Sequence, residues 1–453
     1  MVARALVLFS ATAAALVVSG CTLGRPTDPV VVKGSDVPAL QSVAAGDVVA
    51  FSWVDDWHQV AVQVDERKQV DLGTVYNAAA NGFVTTVYAD ANTFTGADAN
   101  ANVDADDEIA FRAVDAGLQA PAGSPAPAGT VAGSGVKLSL STLIDGKTKK
   151  AYIYLFKRSG NLSPGAGKQF VDYDFNLLSG AYKTTYKLQD GPNPEDSTVT
   201  TPYYTNHFSD RWLNDQLKIT TPGSSGVDIL DRAKPQFAPG NCGRTENTFN
   251  DAEGAFIANK SGPVRAIRSY IGANSGPLTQ REHIFYERRE DIRTFLRVHA
   301  IPGIMDYFDY APAADGMTYR NNVNTGGVTV DGVPDSVTPG SLAWESMDGD
   351  QGGLSIVHTT QTDIAGFASS SYYFDDSTPG TGAEAQCTGD STAYGNSGPW
   401  ITQSIPNTDP RTAGFKNLLA TRTLYFEDAG NANGAARSTQ LASPIQVTPT
   451  SFP

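Results

Sequence analysis

Along most of the chain apolar and polar residues alternate one by one, the period of a strand with one covered face, and few segments carry the spacing of a helix. The stretch Ser261–Pro302 shows this most strongly. Val264 and Ala266 alternate with Arg265 and Ile267 until Gly272, Asn274, Gly276 and Pro277 supply turn residues. Gln280–Glu287 and Ile292–Ile301 then read as a hairpin joined by Arg288, Arg289, Glu290 and Asp291. In its second arm Ile292, Thr294, Leu296, Val298 and Ala300 point one way, and Arg293, Phe295, Arg297 and His299 the other. Pairing Glu282 with Arg297 and Ile284 with Phe295 avoids opposing Arg281 to Arg297 and Glu287 to Asp291, so that register is expected. One face of the hairpin is then core, and the other gathers Glu282, Tyr286, Arg293, Arg297 and His299, with His283 against Leu296.

The same alternation predicts strands at Asp47–Trp53, Val60–Asp65, Glu108–Ala113, Lys149–Phe156, Phe170–Phe175 and Tyr182–Lys187. Trp53, Trp57 and Phe111 are expected core residues. Only Asp210–Leu217 and Thr412–Leu419 have the pattern of short helices. Strand after strand with 44 glycines and 26 prolines as punctuation predicts an all-β protein, a sandwich or barrel. The expected organisation is a tether over 21–36, a small β-sandwich-like domain over 37–117 and a linker over 118–135, where Pro121–Gly135 has little that packs. A large antiparallel β-sandwich follows over 136–453.

The N-terminus changes the picture. Arg4, an apolar run from Ala5 to Val18 and small residues up to Cys21 have the layout of an export signal over 1–20, too short for a spanning helix. Val18-Ser19-Gly20-Cys21 resembles the lipobox of bacterial lipoproteins, which implies lipidation of Cys21 and a membrane partner through that anchor. The remaining two cysteines, Cys242 and Cys387, most simply form one disulfide in an oxidising compartment. No CxxC or HExxH spacing suggests zinc. A net charge of −15 argues against nucleic acid, whose binding rests on phosphate neutralisation.

Three further segments, Gln63–Glu66, Asp106–Phe111 and Ser261–Ala266, resemble secreted proteins that carry a small β domain before a large β-supersandwich, related to galactose-mutarotase-like and polysaccharide-lyase-associated domains. The resemblance implies that architecture and a polysaccharide as partner. Between the strands of the small domain, Asp98, Asn100, Asn102, Asp104, Asp106 and Asp107 crowd oxygen ligands of the kind calcium takes. Aligning Asp98 as the first ligand of an EF-hand-type loop puts Val103 where glycine is required, so the alternatives are a different calcium site or a solvated turn.

No nucleophile elbow, phosphate loop or dinucleotide fingerprint is present. β-Elimination on a sugar needs a Tyr or His base and a cation for the developing anion. His283, Tyr286, Arg293, Arg297 and His299 supply these types in the hairpin, and His207 with Arg211 supplies a second set. A hydrolase needs paired carboxylates, for which Glu345, Asp348 and Asp350 are the local choice; strand ion pairs and a turn are the plainer readings of all three sets. The expected function is a non-catalytic cell-surface lipoprotein that binds glycan or structures the envelope, with a polysaccharide-acting lyase, hydrolase or epimerase as the alternative. An enzyme gathers His, Tyr, Arg and carboxylates from separate segments into one cleft, whereas a structural protein leaves them dispersed.

Overall fold

The computed structural model describes residues 23–76, 84–180, 190–238, 242–274, 278–297, 301–380, 387–404 and 417–453. The chain is all-β, a small sandwich followed by a large one. In the small sandwich a three-stranded sheet, ordered Pro29–Lys33, Glu108–Arg112, Gln63–Asp65, packs on a five-stranded sheet, ordered Gln446–Phe452, Gly135–Ile144, Lys147–Lys157, Val48–Trp53, Trp57–Val60. Val30, Val32, Val48, Ile109, Phe111, Leu138, Leu140 and Ile153 fill the space between them.

The large unit is built on a nine-stranded antiparallel sheet. Its order is Ala255–Lys260, Arg265–Ile271, Thr279–Tyr286, Arg289–Arg297, Asn417–Glu427, Gly352–Thr362, Trp344–Gly349, Thr318–Asn321, Val328–Thr329. Two four-stranded sheets cover its inner face. One runs Asp172–Asp174, Ser197–Thr200, Tyr204–Asp210, Leu213–Ile219, and the other Leu230–Phe237, Ile304–Tyr310, Ala393–Ile401, Ser370–Asp376. Phe208, Leu217, Phe285, Phe308, Leu354, Ile356, Leu424 and Phe426 form the shared core. Over the outer face lies a ribbon of Arg67–Asp71 with Val84–Tyr88, seated through Val70, Val87 and Tyr88 on Ile257, Ile267, Ile271, Ile284 and Tyr286.

Several expectations are corrected. Strands 135–157 and 446–452 pair within the first sandwich, so sheet membership does not divide at 136; alternation shows that a strand exists but not which strand it joins. Residues from 23 onward are not a loose tether, since Leu23 is fully buried and Pro29–Lys33 pairs with Glu108–Arg112. The Ala/Pro/Gly segment is largely exposed but pinned to the first sandwich: Ala120 N–H donates to Tyr154 Oη at 2.8 Å, and Trp57 Nε1 to the Pro125 carbonyl at 2.9 Å. Leu213–Ile219 is a strand rather than part of a helix, because its alternate residues Leu217 and Ile219 enter the large core.

The hairpin register also differs. Tyr286 pairs with Arg289 across a two-residue turn, so Glu282 faces Arg293 and Ile284 faces Asp291. The charged connection is mostly strand because its charges are answered within the sheet: Arg289 holds both oxygens of Asp291 at 2.8 and 2.9 Å, and Glu290 meets His283. The shift is even, so each residue keeps its expected face, yet both faces are covered.

Cys242 and Cys387 are bonded, with Cα atoms 5.2 Å apart, inside the range a disulfide spans.

Candidate functional site

Because neighbouring strands of the large sheet are antiparallel and in register, side chains from separate strands align in rows across it. One inner row runs Arg268, His283, Ile292, Arg422, His358. Adjacent rows bring in Arg281 with Thr294, and Glu290 with Glu345. These groups point between layers, where a charge must find a partner or change protonation state.

Arg268 finds Glu195. Both side chains are fully buried and meet through two bonds of 2.8 and 2.5 Å. Arg281 donates from Nε to Thr294 Oγ1 at 3.0 Å and from Nη2 to Asp306 Oδ2 at 2.6 Å. The other Asp306 oxygen accepts only a long bond, 3.4 Å, from Arg422 Nη1.

His283 and Glu290 solve the problem by neutrality. Nδ1 of the histidine lies 2.8 Å from Glu290 Oε1, and Nε2 lies 3.3 Å from Tyr270 Oη. Burial, reinforced by Arg281, Arg268 and Arg422, holds the imidazole well below its usual range. Burial likewise pushes the Glu290 carboxyl up to about 8, against a hydrogen bond from Asn206 and the charge of Arg422. At neutral pH the protonated acid donates to Nδ1.

A neutral Glu290 leaves Asp306, whose Oδ1 lies 3.4 Å from Nη1, as the carboxylate paired with Arg422. The arginine is 3% exposed, and its guanidinium lies 4.0 Å from the Phe308 ring centre. Its Nε and Nη2 find no partner among the described residues. These two donors share one edge of the planar group, the edge that takes a carboxylate or phosphate by parallel bonds.

Directly across the register from Arg422, His358 presents Nε2 to Glu345 Oε1 at 2.9 Å, while its Nδ1 is buried and without a partner among the described residues. Burial alone would raise the Glu345 carboxyl; the hydrogen bond and charge of His358, with Arg422 beyond, outweigh it and hold the group below its usual range. Tyr319 Oη donates to the second Glu345 oxygen at 3.3 Å. The Tyr310 hydroxyl, which feels Glu345 and Arg422, lies beside the Ser397 hydroxyl.

Arg281, Asp306, His358 and Arg422 form the polar end of a cleft of about 50 Å³, walled by Trp212, Phe237, Leu296, Ile304 and Leu418, with exposed Thr360 at its margin. At about 10–15 Å³ per water-sized group, it has room for roughly three to five heavy atoms. An apolar recess with a few convergent polar groups is the ordinary form of a small-ligand site.

Of the residues singled out from the sequence, only Glu345 and His283 belong to this interior. His207 lies on the far four-stranded sheet between Asp215 at 2.6 Å and Asp196 at 2.9 Å. Burial would depress it, but those two bonds raise it. Arg211 is a structural cation: fully buried, it binds Asn193 Oδ1 at 2.5 Å and the carbonyls of Phe249 and Ala252 at the end of the short helix Glu246–Asp251. Tyr286 and Arg293 face outward under the ribbon, where Tyr286 Oη meets Arg265 at 3.3 Å and Arg293 lies 4.0 Å from Glu282. Arg297 donates to Gln280 Oε1 at 3.0 Å and Thr85 Oγ1 at 3.3 Å. Asp348 caps a turn by accepting from Gly430 N–H, and the Asp350 carbonyl accepts from Ser225 N–H. His299 and Cys21 lie outside the described residues.

In the acidic loop the oxygens close turns. Asp98 accepts from Asn100 N–H, Asn100 from Asn102 N–H, and Asp104 from Asp106 N–H, while Asp107 accepts from Asp104 N–H and Arg67 N–H. Among the described residues no group of three or more His, Cys, Asp or Glu is placed to hold a metal ion.

Arg281, Asp306, His358 and Arg422 were not among the candidate residues singled out from the sequence. The signal was there: His358 shares the face of Leu354 and Ile356, and Arg422 that of Leu424 and Phe426, so each is a charge at a core position. No family model matches the chain, and no curated protein matches it as a relative.

Proposed function

We propose that this is an exported, lipid-anchored cell-surface protein that binds glycan, and that its interior cleft receives the carboxylate of an acidic sugar. The observation that carries the reading is the Nε–Nη2 edge of Arg422, unpartnered among the described residues, on a buried cation whose side chain lines a cleft of about 50 Å³. Leaving a buried donor unbonded costs about 1–3 kcal/mol, and more for a charged group. A carboxylate from outside removes that cost through charge-assisted bonds. The cleft takes that group and its attached carbon, with the sugar ring at the margin by Thr360. Export and anchoring rest on Arg4, the apolar run and Val18-Ser19-Gly20-Cys21.

Calorimetric titration with uronate oligosaccharides and their neutral counterparts tests this reading. Binding of the acidic form alone is expected, weakened in Arg422→Gln by about 2–5 kcal/mol, at least roughly thirtyfold in Kd. Equal affinity for both forms contradicts it.

The Glu345–His358 pair favours a second reading, catalysis at the same carboxylate. A histidine oriented by a carboxylate, with its other nitrogen unpartnered, is equipped as a base. With the sugar carboxylate on Arg422, Nδ1 would take the proton from the adjacent carbon, Arg422 would stabilise the resulting anion, and that carbon would form a double bond to its neighbour as the C–O bond there breaks, the departing oxygen taking the proton back from the imidazolium. Release of an unsaturated, ultraviolet-absorbing product, lost in His358→Gln while binding persists, separates this reading from simple binding.

A further inference from the structure

The lipid-anchor reading places an acyl group on Cys21, and the fold begins almost at once. Leu23 is fully buried, its carbonyl accepts from Thr142 Oγ1 at 2.8 Å, and Gly24 packs against the Ile144 side chain. Arg25 then reaches the Ser443 carbonyl at 3.0 Å. Two residue steps separate Cys21 from Leu23, and an extended chain covers at most about 3.6 Å per step, so the anchor lies within about 7 Å of this point. That distance is much shorter than a headgroup layer plus a free tether.

Thr142 and Ile144 belong to the end of the hairpin Gly135–Ile144 with Lys147–Lys157. This tip carries the features of a membrane-surface contact in a chain whose net charge is −15. Leu143 is 71% exposed, and Asp145 through Lys150 are all exposed, including Lys147, Lys149 and Lys150. The register puts Leu143 and Lys150 on one face and Ile144, Lys147 and Lys149 on the other, toward Leu23.

We propose that the Leu143–Lys150 tip docks into the headgroup layer of an anionic bilayer, the one entered by the Cys21 acyl group, and so fixes how the body stands on the membrane. An apolar side chain flanked by lysines suits an interface, where each lysine near an anionic surface strengthens attachment roughly fivefold. The inference rests on lipidation of Cys21 but not on the glycan cleft.

The test uses the full-length acylated protein in vesicles of phosphatidylcholine with or without phosphatidylglycerol. A nitroxide is placed at Leu143→Cys or at the control Val333→Cys, which is also exposed, and its accessibility to an aqueous relaxation agent is measured. Anionic lipid is expected to shield the label at 143 severalfold and leave that at 333 unchanged. Reversal of the three lysines, Lys147→Glu, Lys149→Glu and Lys150→Glu, is expected to restore accessibility. The same reversal in unacylated Cys21→Ser protein is expected to weaken partitioning onto anionic vesicles by at least about a hundredfold. A label at 143 as accessible as that at 333 in acylated protein overturns the docking alone. A mass spectrum of the exported protein without an acyl group on Cys21 overturns docking and anchor together.

Discussion

Replacing Glu290 with glutamine tests the electrostatics that leave Arg422 available. The folded-state carboxyl is pushed from 4.5 up to about 8 by burial, so its proton stabilises the fold most at acid pH. That contribution is lost as pH rises through about 8. His283 has the opposite sign: its folded value lies well below 6.5, so stability is regained as pH rises toward 6.5. The two slopes cancel below about pH 6.5, and between there and about pH 8 only Glu290 acts. At 1.36 kcal/mol per pH unit, about 1.5 units correspond to about 2 kcal/mol of lost stability. Glutamine does not ionise, and its amide can still donate to His283 Nδ1, so the loss is absent from Glu290→Gln. A chain this long shifts Tm by about 1 °C per kcal/mol. Calorimetric melts at pH 6.5 and 8.5 are therefore expected to cost the wild type about 2 °C more than the variant. Parallel pH dependence of the two proteins refutes the reasoning, for it means that Glu290 is already ionised at neutral pH and neutralises Arg422.

Other outcomes follow from the same interior. Arg268→Met strands the fully buried Glu195 carboxylate and is expected to destabilise by about 3–5 kcal/mol in denaturant titration, whereas Arg268→Met with Glu195→Leu recovers most of it. Reducing Cys242–Cys387, which closes a separation of 145 residues, is expected to cost about 5 kcal/mol from loop entropy, read as a lowered denaturation midpoint. Because Asp98, Asp104 and Asp107 each accept a backbone N–H in closing the turns of the acidic loop, calcium and chelator are expected to leave Tm unchanged. A calcium-dependent rise abolished by Asp104→Asn establishes a site there.

What was legible in the sequence is what period-two alternation encodes. The strands of Ser261–Pro302 and the face on which Arg293, Phe295 and Arg297 lie could be read because side-chain direction depends only on parity. Their register and environment could not. Arg289, Glu290 and Asp291 look like a solvated turn until Arg289 is seen to hold Asp291, and Glu290 to share a proton with His283, inside the sheet. Arg293 and Tyr286 look like a binding face until the ribbon of Arg67–Asp71 with Val84–Tyr88 is found over them. The cleft was hidden for a different reason: Arg281, Asp306, His358 and Arg422 come from four strands, and only the order that sets Asn417–Glu427 between Arg289–Arg297 and Gly352–Thr362 brings them together. His358, Arg281, Arg422 and Asp306 are thus brought together from separate strands, and none of them was among the candidate residues first singled out.

The central claim is that Arg422 is held ready for a carboxylate, and a crystal structure of the protein with a uronate oligosaccharide tests it most directly. The expected result is a carboxylate in the cleft with its two oxygens about 2.7–2.9 Å from Nε and Nη2. An Arg422 edge bonded to solvent or to a protein carboxylate, with the sugar held elsewhere, would contradict it.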